Sequence, residues 1–267
     1  MTRVGIIGCG SIGSLIARGL SDVPALTLAA LADVDQAKAS KLAQSLTAIP
    51  QILPSDQLIS QVDLVVEAAC PQVVPSILEQ ACRLNKDVLI ISIGGMLDLS
   101  PHISTLMKES RSRIYLPSGA LAGLDAVKAA AGDEIYSATL TTRKPPKGFT
   151  GAPYLIQAGI DVNSIYTPTV IFEGTASDAV KAFPQNINVA AALSLAGIGP
   201  QKTKVRIIAD PSVTTNCHEV EVTGNFGKMI ARTENLPFPQ NPKTSYLAAL
   251  SALATLKKIV SPLQIGT

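Results

Sequence analysis

The 267-residue chain is 47% hydrophobic and 16% charged, with a formal net charge of +2, two histidines and no tryptophan. That length suits one large or two modest domains with cores of their own, and the composition argues against disorder and against nucleic acid or an anionic membrane as a partner. Two histidines leave few places for chemistry that titrates near neutrality.

Residues 3–7 read as a short strand, followed directly by Gly8-Cys9-Gly10-Ser11-Ile12-Gly13 and then by helical apolar spacing over 14–20. A second strand, 26–32, ends on Asp33, and the alanine-rich stretch 36–46 predicts a helix. The apolar runs 64–66 and 88–91 read as parallel strands covered on both faces, with 75–84 as the crossover helix between them. Alternating strands and helices predict an N-terminal Rossmann-type, doubly wound α/β domain over residues 1–119, completed by a C-terminal helix within 245–267.

The glycine loop has the context that gives such a motif meaning: strand before, helix after, and an acidic residue, Asp33, 20 positions beyond Gly13. Gly8 permits the tight turn, Gly10 lets backbone approach a pyrophosphate, and Gly13 allows close helix–strand packing. Ser11 and Ile12 stand where the helix N-terminus offers N–H groups to phosphates. Asp33 suits a ribose diol and repels a 2′-phosphate, so NAD is expected as cofactor, with NADP use left open. Ala69, just past the run 64–66, is small enough for a cofactor to lie against its backbone; an ordinary loop of a packed sheet reads equally well there.

Beyond residue 120 the pattern changes. Stretches 135–142, 168–173, 204–209, 217–223 and 228–233 read as strands, with Gly224-Asn225-Phe226-Gly227 as a hairpin turn and helices near 176–183 and 188–197. This predicts a second, α+β domain over 120–244 with a mixed, largely antiparallel sheet. On strand alternation His218 shares a face with Val220 and Val222, while Cys217, Glu219 and Glu221 point the other way. A histidine on an apolar face is more often a satisfied core residue than a catalyst. His102 reads as a solvated residue at a helix start. Cys9, Cys70, Cys82 and Cys217 are scattered, without metal-ligand spacing, and no apolar run is long enough to cross a bilayer. Reduced thiols, no metal and a cytoplasmic location are therefore expected.

Six blocks in order and at spacing along nearly the whole chain resemble the L-aspartate dehydrogenase family. They are the glycine loop 7–13, Leu-Pro-Ser-Gly-Ala-Leu-Ala-Gly-Leu-Asp at 116–125, Arg-Lys-Pro-Pro at 143–146, Phe-Pro-Gln-Asn-Ile-Asn-Val-Ala-Ala at 183–191, Ala-Asp-Pro through Asn-Cys-His at 209–218, and Asn-Pro-Lys-Thr-Ser at 241–245. The resemblance implies NAD-dependent oxidative deamination of L-aspartate to iminoaspartate, supplied to NAD biosynthesis, by a homodimer. It puts the catalytic acid/base on His218 and nicotinamide-side contacts on Ala120 and Asn188. Cys217 departs from the apolar residue expected before that histidine. Two substrate carboxylates call for cations and hydrogen-bond donors, for which Arg143, Lys144, Asn241, Lys243 and Thr244 are the candidates. Arg143 and Lys144 are expected in a proline-stiffened loop after a strand, and Thr244 at the start of the last helix. Two other readings stay open: another two-domain oxidoreductase, similar to dihydrodipicolinate reductase or homoserine dehydrogenase, and an NAD-binding sensor without turnover.

Overall fold

The computed structural model describes residues 1–184, 188–238 and 241–267, the last set without the side chains of 241–243. The chain divides into two compact units, Met1–Pro117 with Ala249–Gln264, and Ser118–Ala248 with Ile265–Thr267.

The first unit alternates strand and helix: β1 (Thr2–Ile7), α1 (Ser11–Gly19), β2 (Leu26–Ala32), α2 (Gln36–Gln44), β3 (Gln51–Ile52), α3 (Ser55–Gln61), β4 (Leu64–Glu67), α4 (Val74–Arg83), β5 (Asp87–Ile90), α5 (Pro101–Glu109) and β6 (Ile114–Tyr115). The strands pair in the order β3-β2-β1-β4-β5-β6, every pairing parallel. This is the Rossmann order, in which β1 and β4 lie side by side at the switch point where ligands bind. All four residues of β4 are buried because the sheet is covered twice. Alternation sends Leu64 and Val66 into a core with Val4, Ile6, Ile16 and Leu42. Val65 goes the other way, to Ile7, Leu58, Ile77, Leu78 and Val88. The helices begin on local signals: the Asp35 side chain accepts from the N–H groups of Ala37 and Lys38, and Ser100 caps α5 ahead of Pro101.

The second unit contains α6 (Leu124–Ala130), β7 (Ile135–Lys144), α7 (Pro153–Gln157), β8 (Thr169–Thr175), α8 (Ala176–Ala182), α9 (Asn188–Ala196), β9 (Lys204–Ala209), β10 (Asn216–Gly224) and β11 (Gly227–Asn235), then the short pair β12 (Pro237–Phe238) and β13 (Asn241–Ser245). Its five-stranded sheet runs β11-β10-β7-β9-β8, with β7 and β9 parallel and the other pairings antiparallel. One face carries Leu140, Ile207, Val220 and Val222 into a core with Val127, Leu155 and Leu193. Phe149, Tyr154, Phe172 and Phe183 fill the end of that core with ring centroids 5.5–6.1 Å apart. The last helix, α10 (Tyr246–Val260), puts Ala252 and Leu256 into the core formed with α1 and α2.

Two local expectations are corrected. Arg143 and Lys144 are not loop residues: β7 continues through both because they pair with Ile208 and Ala209 of β9. The strand stops only where Pro145, lacking an N–H, cannot extend the ladder. Thr244 and Ser245 do not open the last helix. They end β13, pairing Ser245 with Pro237, and α10 begins at Tyr246.

Leu256 is fully buried whereas Leu263 is 69% exposed. Leu256→Ala is expected to cost about 2–5 kcal/mol by transfer loss and cavity formation, and Leu263→Ala under ~0.5 kcal/mol. Urea unfolding of the two variants measures both.

Candidate active site

The first unit carries an anion cradle. Gly8 has a φ of +103°, and a Cβ there would lie 2.5 Å from the Ala68 carbonyl oxygen; one on Gly13 would lie 1.9 Å from the Gly8 carbonyl oxygen. The turn from β1 into α1 is thus too tight for any other residue at these two positions. At Gly10 a Cβ would meet nothing within 4 Å. This is open ground beside backbone, and α1 starts there with no side-chain cap. The first-turn amides, including those of Ser11 and Ile12, therefore remain for an external anion, the requirement of a dinucleotide pyrophosphate.

Asp33, at the end of β2, accepts the Cys9 N–H at 2.7 Å through Oδ2 and the Asp35 N–H at 2.8 Å through Oδ1. Its carboxylate is held against the glycine loop and braces that loop. Glu67, at the end of β4, is fully buried. It accepts from Ala69 N–H (2.8 Å), Ser92 N–H (2.9 Å), Ser92 Oγ (2.9 Å) and Ile91 N–H (3.2 Å). Burial pushes its pKa up, opposed by these hydrogen bonds. The carboxyl ties the loops after β4 and β5 together at the switch point, and Ala69, exposed on the first of them, hangs from it. Burial at the Cys9 thiol, with Asp33 adding to it, drives that pKa up to about 12, so this side chain is an inert thiol.

In the second unit the antiparallel register sets His218 of β10 opposite Thr142 of β7. His218 Nδ1 and Thr142 Oγ1 lie 3.0 Å apart. Both side chains are buried, at 2% and 3% exposure. Lys144, two residues further along β7, alternates onto the same face and is 4% exposed. Burial, then the field of Lys144, depresses the His218 pKa to about 3; burial lowers that of Lys144 to about 8. The imidazole is therefore neutral near pH 7. Nε2 makes no hydrogen bond to a described residue.

Arg143 goes to the opposite face, opposite Cys217, and its guanidinium is paired with the Asp210 carboxylate. Asp210 is 2% exposed and also accepts from Ser212 N–H and Oγ, at 2.8 and 2.6 Å. Alternation thus separates two adjacent cations: Lys144 shares the histidine's layer and Arg143 secures the loop after β9. On β11, Thr233 stands opposite His218 and Asn235 opposite Asn216. Thr233 Oγ1 and Asn235 Nδ2 both donate to the Ala120 carbonyl, at 2.8 and 3.2 Å. Asn216 in turn donates to Ser245 Oγ at 3.3 Å. Asn188 opens α9 half-buried, and Thr244 is half-buried in β13. The side chains of Asn241 and Lys243 lie outside the described residues, as do 185–187 of the Asn-Ile-Asn block. His102 is a surface residue, 3.5 Å from Glu79.

Thr142, Glu67 and the Thr233–Asn235 pair escape a reading of the sequence. Each matters through a partner 24 to 115 residues away, and only register or loop packing reveals it.

Fold and cradle together define a two-domain oxidoreductase of the Rossmann, nicotinamide-dinucleotide class. Comparison with family models matches residues 8–117 to the NAD-binding domain of homoserine dehydrogenase and residues 125–259 to the C-terminal domain of aspartate dehydrogenase. The chain is 50% identical to an L-aspartate dehydrogenase of Methanosarcina mazei over the whole of both chains, and 44% identical to one of Bradyrhizobium diazoefficiens, covering 99% of this chain and 94% of the relative. The crystal structure of the Thermotoga maritima aspartate dehydrogenase superposes with a TM-score of 0.78 at 29% identity, both chains fully covered. The chain belongs to the L-aspartate dehydrogenase family.

Gly13→Ala is expected to lower the melting temperature of the ligand-free protein by several degrees, since the new methyl group has no room. Gly10→Ala should leave that melting temperature unchanged and weaken NAD binding about tenfold or more, because its methyl group occupies the ground a pyrophosphate needs. Thermal melts with and without NAD separate the two effects.

Proposed function

We propose that the protein is an NAD-dependent L-aspartate dehydrogenase, with His218 as its acid/base. The observation that carries this reading is the neutral, buried imidazole of His218 on one sheet face with Thr142 and Lys144, in a chain that shares half its residues with curated aspartate dehydrogenases. When bound, the nicotinamide supplies a hydride acceptor; the chain's residues must hold the dicarboxylate and manage its protons. The substrate ammonium has to lose a proton before hydride leaves Cα. Thr142 occupies Nδ1, so Nε2 is the nitrogen assigned to take that proton. The same nitrogen then orients water toward the imine carbon, giving oxaloacetate and ammonia when hydrolysis follows on the enzyme, or leaving iminoaspartate for NAD biosynthesis when it does not.

Lys144 is the cation assigned to one substrate carboxylate. Lys243, Asn241 and Thr244 are proposed as further partners, and Ala120 and Asn188 as nicotinamide-side contacts. Arg143 is assigned through its ion pair with Asp210 to holding the loop after β9 rather than to a direct bond with substrate. Gly8, Gly10, Ser11, Ile12, Gly13, Asp33 and Ala69 are assigned to the dinucleotide. Preference for NAD over NADP is supported by the Asp33 carboxylate and by Val34-Asp35 after it, which offers no arginine to a 2′-phosphate.

A cytoplasmic homodimer is part of the same reading. Among the described residues the four cysteines are free and no helix is long and apolar enough to cross a membrane. The sheet face opposite His218 leaves Ile230 57% and Val170 41% exposed among charged neighbours, a surface suited to a second copy of the chain.

NADH formation from L-aspartate tests the activity directly. His218→Ala is expected to lower kcat by on the order of 10²-fold or more while NAD affinity changes little; near-normal turnover would remove His218 from the role. Asp33→Ala is expected to erode the NAD-over-NADP ratio of kcat/KM by about tenfold and, through the lost Cys9 contact, to weaken both cofactors.

A further inference from the structure

The buried layer of the second sheet holds two groups that can each carry positive charge, His218 and Lys144. His218 faces Thr142 directly across β10 and β7, so Lys144 is its diagonal neighbour on the same face. Diagonal neighbours stand roughly 7–8 Å apart at their Cα atoms, within reach of a long side chain. The Lys144 stem is confined as well: a Cβ on Gly148 would lie 3.6 Å from Lys144 Cβ and 3.7 Å from its Cδ.

No described carboxylate shares this face. Glu219 and Glu221 of β10 alternate to the other side, as do Arg232 and Glu234 of β11. On the helices and turn that cover the face, Asp125, Lys128, Lys147, Asp178 and Lys181 are exposed. Lys144 is therefore the described charge that acts on the imidazole, and two like charges in one dry layer oppose each other strongly.

We propose that Lys144, the cation assigned to a substrate carboxylate, also holds His218 in its neutral form until that carboxylate binds. This inference rests on the dicarboxylate reading above and deepens it. A carboxylate arriving at the ammonium cancels most of its field at the ring. The imidazole then gains proton affinity just when the substrate ammonium must give up a proton. The substrate N–H bond breaks, an N–H bond forms at Nε2, and the new imidazolium is balanced by the dianion beside it. A base armed by its own substrate is protected from idle protonation in the empty enzyme. The low His218 pKa, assigned first to burial and then to Lys144, agrees with this arrangement.

The test uses the two-histidine composition. In the full-length enzyme labelled at histidine, NMR titration resolves His218 from the exposed His102. His218 is expected to stay neutral to below pH 5 in the free enzyme. Saturating succinate, a dicarboxylate that cannot react, should raise its midpoint by more than one pH unit. Lys144→Met should raise the midpoint of the free enzyme similarly and remove the response to succinate, whereas Lys144→Arg should preserve both. In turnover, the acid limbs of the kcat/KM and kcat profiles should lie apart in the wild type and merge in Lys144→Met.

A His218 midpoint that neither succinate nor Lys144→Met moves overturns the proposal, and so does a free-enzyme midpoint near the ordinary value. If Lys144→Met does not fold, the succinate response of the wild type and of Lys144→Arg decides alone. Aspartate turnover by a wild type whose midpoint ignores succinate would defeat this inference and leave the function standing. A succinate response without aspartate turnover would support it and defeat the function.

Discussion

The pairing of β7 with β10 is the constraint on which the second unit depends. One register places Thr142 opposite His218, and strand alternation then assigns every neighbouring side chain to a layer. Lys144 comes to the histidine's side and Arg143 goes to Asp210. A slip of one residue would exchange them, setting the guanidinium in the dry layer and the lysine in the loop anchor. The hydrophobic run of Leu140, Val220 and Val222 on the same face makes that slip costly, so the packing of the core also aligns the chemistry.

Burial without loss of hydrogen bonds is the common pattern of both units. Glu67 is as inaccessible as any leucine in the first core, yet four donors reach it. Asn235 and Thr233 secure the Ala120 carbonyl, and Asp210 combines a serine and an arginine. Among the described residues no buried side-chain polar atom lacks a partner. Such fully satisfied groups cost little to keep buried and give the loops one geometry, whereas a half-satisfied carboxyl would destabilise them. The loops in question are those after β4 and β5, the segment that carries Ala120, and the residues after β9.

The low overall charge takes on a definite meaning beside this arrangement. A small dicarboxylate needs a few well-placed cations rather than a broad basic field. Lys144 is buried far beyond an ordinary surface lysine, and under the proposed function that cost is borne where a carboxylate is to be met. The single buried histidine is kept neutral by the same surroundings, so polarity and proton chemistry in this layer are two aspects of one electrostatic balance.

By itself the sequence determined the alternation of the first unit, the glycine loop with Asp33, and the side of β10 on which His218 lies. These are local: periodicity, turn chemistry and spacing act within about 20 residues, and nearby physics suffices to read them. The family blocks added the chemistry expected of His218. Tertiary structure decided what touches what. That β7 runs on through Lys144 depends on β9, some 60 residues later, and that Thr244 and Ser245 extend rather than coil depends on Pro237. The sequence marks the neighbours of Thr142 and Glu67, Arg143-Lys144 and Ala69, but not the roles of Thr142, Glu67 or Asn235 themselves, because their partners are supplied by sheet register and loop packing. Residue type and period are properties of the chain; register is a property of the folded sheet, and here it selects which of two neighbouring cations stands beside the histidine.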